Sequence, residues 1–218
     1  FSEQALMRHR IMVEVEYLVF LIEHKSFQKK RSLSKKTLLS LRNLYIEFSE
    51  KDFKQIKKIE TKTNHDVNAV VVFISEKLEK IGRKDLIPIV HFGLTSEDIN
   101  NTAYSLMTKG ATKNIMIPSI KNVLKELKRL ARKTKSLPML SLTHGQPATT
   151  TTLGKELAVF ISRVERELIL IKEINLLAKF SGATGSYAAH KIAFPKVNWS
   201  VFSKKFIKRL GLEQSPIT

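Results

Sequence analysis

Histidine is the side chain that titrates nearest neutral pH, and three of this chain's histidines stand inside polar, turn-forming stretches. In "THGQPATTTT" (143–152), Thr143, His144 and Gln146 surround a turn that Gly145 and Pro147 could make unaided. An imidazole placed there suits proton transfer. "TKTNHDVNAV" (61–70) sets Asn64, His65 and Asp66 at a helix start, and "HFGLTSEDINNT" (91–102) brings His91, Thr95 and Ser96 to another. Helix starts offer free backbone N–H groups and the positive end of the dipole. Three of them carrying imidazole, amide and hydroxyl groups suit a ligand rich in carboxylate and phosphate oxygens. Structural roles are open to most of these groups: Asn64 and Thr95 as helix caps, Asp66 in a first turn, His65 and His91 as interface histidines. His144 is harder to place that way, because a polar turn is a poor way to enter a long buried helix unless it faces a cleft.

Other chemistries fit less well. The histidines at 9, 24, 65, 91, 144 and 190 form no His-x-x-x-His pair, and no carboxylate stands at a zinc-motif offset from two of them, so no metal is expected. "SGATGSYAAH" (181–190) contains Gly182 and Gly185 but lacks the lysine-serine ending of a phosphate loop, and reads as a close backbone approach. The absence of cysteine excludes disulfides, thiolate metal sites and thiol redox chemistry. A formal charge of +18 with runs such as "QKKRSLSKK" (28–36) and "KELKRLARKTK" (125–135) raises the question of nucleic acid. Neither interleaved aromatics nor a short recognition helix accompanies these runs, which read first as solvated helix faces. Contact with RNA, or steering of a small polyanion into a cleft, are the alternatives. Apolar runs stop short of the roughly 18 to 20 residues of a membrane span and no leader is evident, so a soluble, cytoplasmic protein is expected.

The elements that must position these groups read as helices. Val67, Val70, Val71, Ile74, Leu78 and Ile81 form one stripe that Gly82 can close. Further helices are expected over 3–30, 34–49, from Thr95 (with Asp98 as a capping box) to about 109, over 112–135 and over 151–180. The last would be roughly 45 Å long at 1.5 Å per residue, striped by Leu153, Leu157, Phe160, Ile161, Val164, Leu168, Ile171 and Leu177. Such a stripe calls for partners along its length, hence a bundle shared between subunits. No strand pattern stands out. A domain boundary is expected near 92–96, giving domains of 1–95 and 96–218.

At "TNHDV" (63–67), "HFGLTSEDINNTA" (91–103), "THGQPATTTTLGKE" (143–156) and "GATGSYAAHKIAFPKVNWSVFSKKFI" (182–207) the sequence resembles the adenylosuccinate lyase branch of the fumarase/aspartase superfamily, in its bacterial long form and amino-terminal portion. The resemblance implies an all-α, long-helix bundle fold: an amino-terminal helical domain and part of the central helical-bundle domain, in a homotetramer whose active sites are shared. It implies β-elimination of adenylosuccinate to AMP and fumarate, and cleavage of the succinyl-aminoimidazole carboxamide ribotide in purine biosynthesis, with no cofactor. His144 would be the general acid. His65, with Asn64 and Asp66, would bind and orient substrate, Thr95, Ser96 and Thr143 would hold carboxylate oxygens, and His91 and Gln146 would line the site.

The family's base is a serine on a Ser-Ser-x-Met-Pro-x-Lys-x-Asn loop, which these 218 residues do not contain, and its amino-terminal Arg-Tyr phosphate contact is missing too. The expectation is therefore the amino-terminal half of an enzyme, inactive alone. The rival readings are another superfamily lyase, of the argininosuccinate type, and a basic helical module that binds RNA or protein.

Overall fold

The structure, a computed structural model, describes residues 1–28 and 32–217; Lys29, Lys30 and Arg31 of the first basic run lie outside the described residues. Helices dominate, as the all-α expectation requires: α1 (Glu3–Glu23), α2 (Lys25–Gln28), α3 (Lys35–Ile46), α4 (Glu50–Thr63), α5 (Asp66–Lys80), α6 (Ser96–Ala111), α7 (Ile117–Lys133), α8 (Leu153–Glu173), α9 (Ala188–Ala193) and α10 (Trp199–Arg209). A 3-10 turn spans Lys84–Ile89, and a π-helical stretch, Thr112–Met116, joins α6 to α7. No helix among the described residues is long and apolar enough to cross a membrane.

Two compact units divide the chain: 1–108 with 176–218, and 109–175. The boundary expected at 92–96 is not where they part. The polar segment after His91 is tied into the first unit by buried hydrogen bonds, and the chain returns to that unit after Asn175.

In the first unit α1 is buried on most of its faces from Met7 to Ile22, Arg10, Glu14 and Glu16 included, because it lies between two cores. Met7, Ile11, Val15, Leu18 and Ile22 pack with Leu41 of α3, Ile56 of α4 and Val70, Phe73 and Ile74 of α5. Val13, Tyr17 and Leu21 pack instead with Ile99 and Ala103 of α6 and Phe202 and Phe206 of α10. Helix α5 ends as its sequence predicts. Gly82 takes φ +73°, its N–H reaching Glu79 O (3.0 Å) while Arg83 N–H reaches Leu78 O (2.8 Å), a pairing that satisfies the last carbonyls. A short parallel pair, β3 (Leu177–Ala178) with β4 (Glu213–Gln214), ties the returning segment to the chain's last residues.

The second unit corrects two expectations. Residues 138–152 form an antiparallel hairpin, β1 (Pro138–Thr143) with β2 (Gln146–Thr152), where no strand was expected. Thr149 to Thr152 are β-branched, and "MLSLT" alternates, so the backbone favours extension there. Helix α8 therefore begins at Leu153, capped by the Thr152 hydroxyl, and ends at Glu173 rather than 180. Its 21 residues span roughly 31 Å. Leu177, the end of the expected stripe, is a strand residue. Ile161 and Leu168 pack with Leu124 of α7, while Phe160 stays exposed.

Candidate functional site

The segment 61–70 turns between two helices. Asn64 caps the end of α4 rather than the start of the next helix, in a left-handed conformation (φ +48°) that asparagine tolerates well. His65 is the N-cap of α5: its Nδ1 lies 3.2 Å from Asn68 N–H. A backbone N–H can only donate, so Nδ1 accepts and the ring's proton sits on Nε2. That Nε2 lies 3.3 Å from the Ser96 hydroxyl, so two of the predicted segments meet here.

Beneath them lies a residue not singled out from the sequence. Arg10 of α1, 3% exposed, donates from Nη2 to Asp66 Oδ2 (2.6 Å) and from Nε to Asn100 Oδ1 (2.9 Å). One guanidinium thus ties the first turn of α5 to the second turn of α6. Burial opposes ionisation of Asp66, but the Val67 N–H and Arg10 prevail and hold its carboxyl below the usual range. Lys57, Glu60, Thr61, Asn64, His65 and Asp66 line an open cleft of about 560 Å³ at this place.

The 91–102 segment is fixed from below. His91 (φ +60°) and Gly93 (φ +71°) bend the chain, and α1 latches the bend with two residues one turn apart. Glu14 Oε1 lies 2.5 Å from His91 Nδ1, and Tyr17 donates its hydroxyl to the Phe92 carbonyl (2.8 Å). Because that hydroxyl has one proton, the 3.1 Å contact between Tyr17 and His190 Nε2 is donated by the imidazole. Burial pushes His190 down to about 4, so it is a neutral ring. Gly93 is required there, since a Cβ would stand 2.7 Å from that ring.

Asp98, fully buried, does more than cap α6. It accepts from the backbone of Thr95 (2.9 Å), Ser181 (2.9 Å) and Gly182 (3.0 Å) and pairs with Lys179 (3.0 Å). The Gly182–Gly185 segment is thereby docked on the start of α6. Thr95 contributes its backbone to this cap, while the Ser96 hydroxyl oxygen accepts from His65 Nε2–H.

Thr143, His144 and Gln146 belong to the second unit. Thr143 pairs with Gln146, leaving His144 (φ +47°) and Gly145 (φ +76°) as a two-residue loop. Positive φ at both is the hairpin turn whose twist matches the strands, a place usually held by Asn-Gly. The His144 side chain is exposed at the tip. The structure brings His65, Asp66 and Ser96 together and joins His91 to Glu14; the three hairpin residues form their own group. Arg10 and Glu14 were missed from the sequence, where they stand among other charged residues of the same helix, Arg8 and Glu16 included.

A sequence profile described as "Lyase" matches residues 1–215. Among curated relatives, the adenylosuccinate lyase of Buchnera aphidicola from Acyrthosiphon pisum is 42% identical over 100% of this chain and 48% of its own length. That of Dictyostelium discoideum is 43% identical over 96% of the chain and 46% of its length, and that of Escherichia coli K12 39% over 100% and 48%. The chain spans about half the length of the curated relatives it matches. Its fold is that of β-carboxy-cis,cis-muconate cycloisomerase from Acinetobacter calcoaceticus and of a fumarate lyase from a Mesorhizobium species. Each has a TM-score of 0.78 and 22% identity, over 100% of this chain and 48% of theirs. With its profile matched almost end to end, the chain belongs to the lyase family.

Proposed function

We propose that this chain carries part of the active site of an adenylosuccinate lyase, which releases fumarate from adenylosuccinate to leave AMP and cleaves the succinyl-aminoimidazole carboxamide ribotide in the same way, in purine biosynthesis. The observation that carries the reading is 42% identity to a named adenylosuccinate lyase along the whole chain.

In the elimination, a base takes the proton beside a carboxylate of the succinyl group, and the electron pair forms the new double bond as the C–N bond breaks. The departing nitrogen needs a proton, which His144 supplies. Its exposed position on a tight turn suits a group that must reach into a substrate. The charge that develops on the carboxylate needs hydrogen-bond donors, and Thr95, Ser96 and Thr143 serve there. His65 orients the substrate through Nε2–H, with Asn64 and Asp66 shaping its turn, while His91 and Gln146 line the site. No step calls for a cofactor. The substrate's two carboxylates and phosphate carry about four negative charges, which a chain of formal charge +18 attracts. Homotetrameric assembly with shared sites, in the cytoplasm, belongs to the same reading. The base is supplied from outside these 218 residues, which alone are expected to release no fumarate.

The test is fumarate release from adenylosuccinate by the full-length gene product, beside its His144→Gln variant. A fall of about a hundredfold or more supports both the activity and the acid, since positioned acid catalysis contributes about 10² to 10⁴. Equal rates would keep the activity and remove His144 from it. Absence of release from both would turn the reading to argininosuccinate and related compounds. Indifference to all of these, with RNA affinity falling steeply with salt, would make the chain a binding module.

A further inference from the structure

We propose that Glu14 is a positioning residue that holds His91 as an imidazolium, so that its Nε2–H faces an anionic oxygen of the ligand, carboxylate or phosphate. The proposal rests on the lyase reading for the ligand and on geometry for the pair.

Glu14 is 1% exposed in the middle of α1, and its Oε1 lies 2.5 Å from His91 Nδ1. A bond from a protonated imidazole to a carboxylate is charge-assisted and stronger than a neutral one. Glu14 Oε2 is buried and has no partner among the described residues, so the carboxylate has His91 as its sole hydrogen-bonding counter-charge. Nδ1 is thereby committed. His91 keeps part of its ring at the surface (22% exposed), and among the described residues nothing bonds Nε2, which leaves a charged donor free on the outer side. Burial pulls the imidazole's pKa down, but the Glu14 bond and charge, with Asp98 adding to them, raise it above the ordinary value.

The surroundings agree. On the α1 side stand Glu14 and Tyr17, the latter kept protonated by burial and by the Glu14 and Asp98 charges. On the α6 side stands Asp98, whose own cation is Lys179, and from α9 comes His190, which is neutral. The backbone adds to the case. His91 is held at φ +60°, a conformation unusual for a side chain of its size, at the point where Glu14 and Tyr17 grip the bend. A residue needed only to fill the turn would more simply be glycine or asparagine.

The experiment is histidine-selective ¹³C NMR on the full-length protein, with the His91 signal assigned by its loss in His91→Gln. In the unaltered protein His91 is expected to titrate above 6.5; titration at or below 6.5 overturns the proposal without any Glu14 variant. In Glu14→Gln, which keeps the shape and an acceptor, the titration is expected to fall by about one pH unit or more. The alkaline rise of KM should move down by the same amount, with kcat at low pH changed less than about threefold. A purely structural Glu14 would lower stability and leave the His91 titration unmoved, and that result also overturns the proposal. Fumarate and AMP, added separately, separate the sources: a further rise of the titration with fumarate assigns a carboxylate, a rise with AMP and with inorganic phosphate assigns a phosphate, and no rise with any of them overturns the anion contact. Because the titration of the ligand-free protein is read without turnover, it tests the Glu14–His91 pairing whether or not the lyase reading stands, while the KM and ligand measurements rest on that reading.

Discussion

Asp98→Ala tests whether one buried carboxylate organises the start of α6 and the Gly182–Gly185 segment together. The change removes the acceptor of three backbone N–H groups, those of Thr95, Ser181 and Gly182, and strips Lys179 of its counter-charge. Asp98 is 0% exposed and the Lys179 side chain 12%, so water does not readily replace what is lost. Breaking a buried pair from one side costs about 3–5 kcal/mol, against a typical total stability of about 5–15. With a urea slope of about 2 kcal/mol per M, the unfolding midpoint should fall by about 1.5 to 2.5 M. The chain's one tryptophan, Trp199, is buried in the same unit against His190, so its fluorescence reports the transition. Asp98→Asn should lose less, because it keeps the shape but turns one acceptor into a donor facing N–H groups. A midpoint that moves by less than about 0.5 M in Asp98→Ala would refute the assignment of Asp98 as the organiser.

Other consequences can be checked separately. Burial opposes ionisation of Glu16, but the bonds from Arg42 (2.7 and 2.9 Å) and Tyr45 (2.8 Å) outweigh it and hold its pKa below the usual value. Its contribution to stability is therefore full above about pH 4.3 and lost as pH falls through the lowered value; Glu16→Gln should flatten that acid limb in urea titrations at pH 6 and pH 3. His65→Asn should keep the cap on α5 and stay within about 0.5 kcal/mol in stability, whereas His65→Ala should lose about 1 kcal/mol, and both should raise KM because Nε2 is gone. Gly154→Ala would drive a methyl into the Ala131 carbonyl and to 2.6 Å from Lys135 Cα, costing about 1–3 kcal/mol and speeding amide exchange along α8. Unchanged exchange would show that α7 and α8 are not packed that closely.

Spacing made the helices legible. The stripe from Val67 to Leu78 became α5, and Gly82 closes it with the predicted left-handed turn. The Thr95–Asp98 signal opens α6, although the side-chain half of that box belongs to Asp98. Ends were less legible: apolar residues from Leu153 to Leu177 kept a helical rhythm past Glu173, while pairing with Glu213–Gln214 drew Leu177 into a strand. The hairpin was hidden because His-Gly occupies the place of the familiar Asn-Gly. Around the first-unit site, His65 and Ser96 could be read from local polar segments, but their support could not. Glu14 meets His91 across 77 residues of sequence and Arg10 meets Asn100 across 90, pairings that no local pattern encodes.

The ribbon carrying His144 has a mechanical consequence. Leu140 and Leu142 on one strand are 50% and 67% exposed, and Thr149 and Thr150 on the other are exposed too. A two-stranded hairpin with little to lean on is marginally rigid in water. Were His144 the proton donor proposed above, it would be a cantilevered load, and the sideways play of the tip would have to shrink to about 0.5 Å before proton transfer is efficient. Whatever clamps the ribbon would then set the rate as much as the imidazole does. Where that clamp is a separate chain, turnover per molecule would drop on dilution with every residue of the site unchanged.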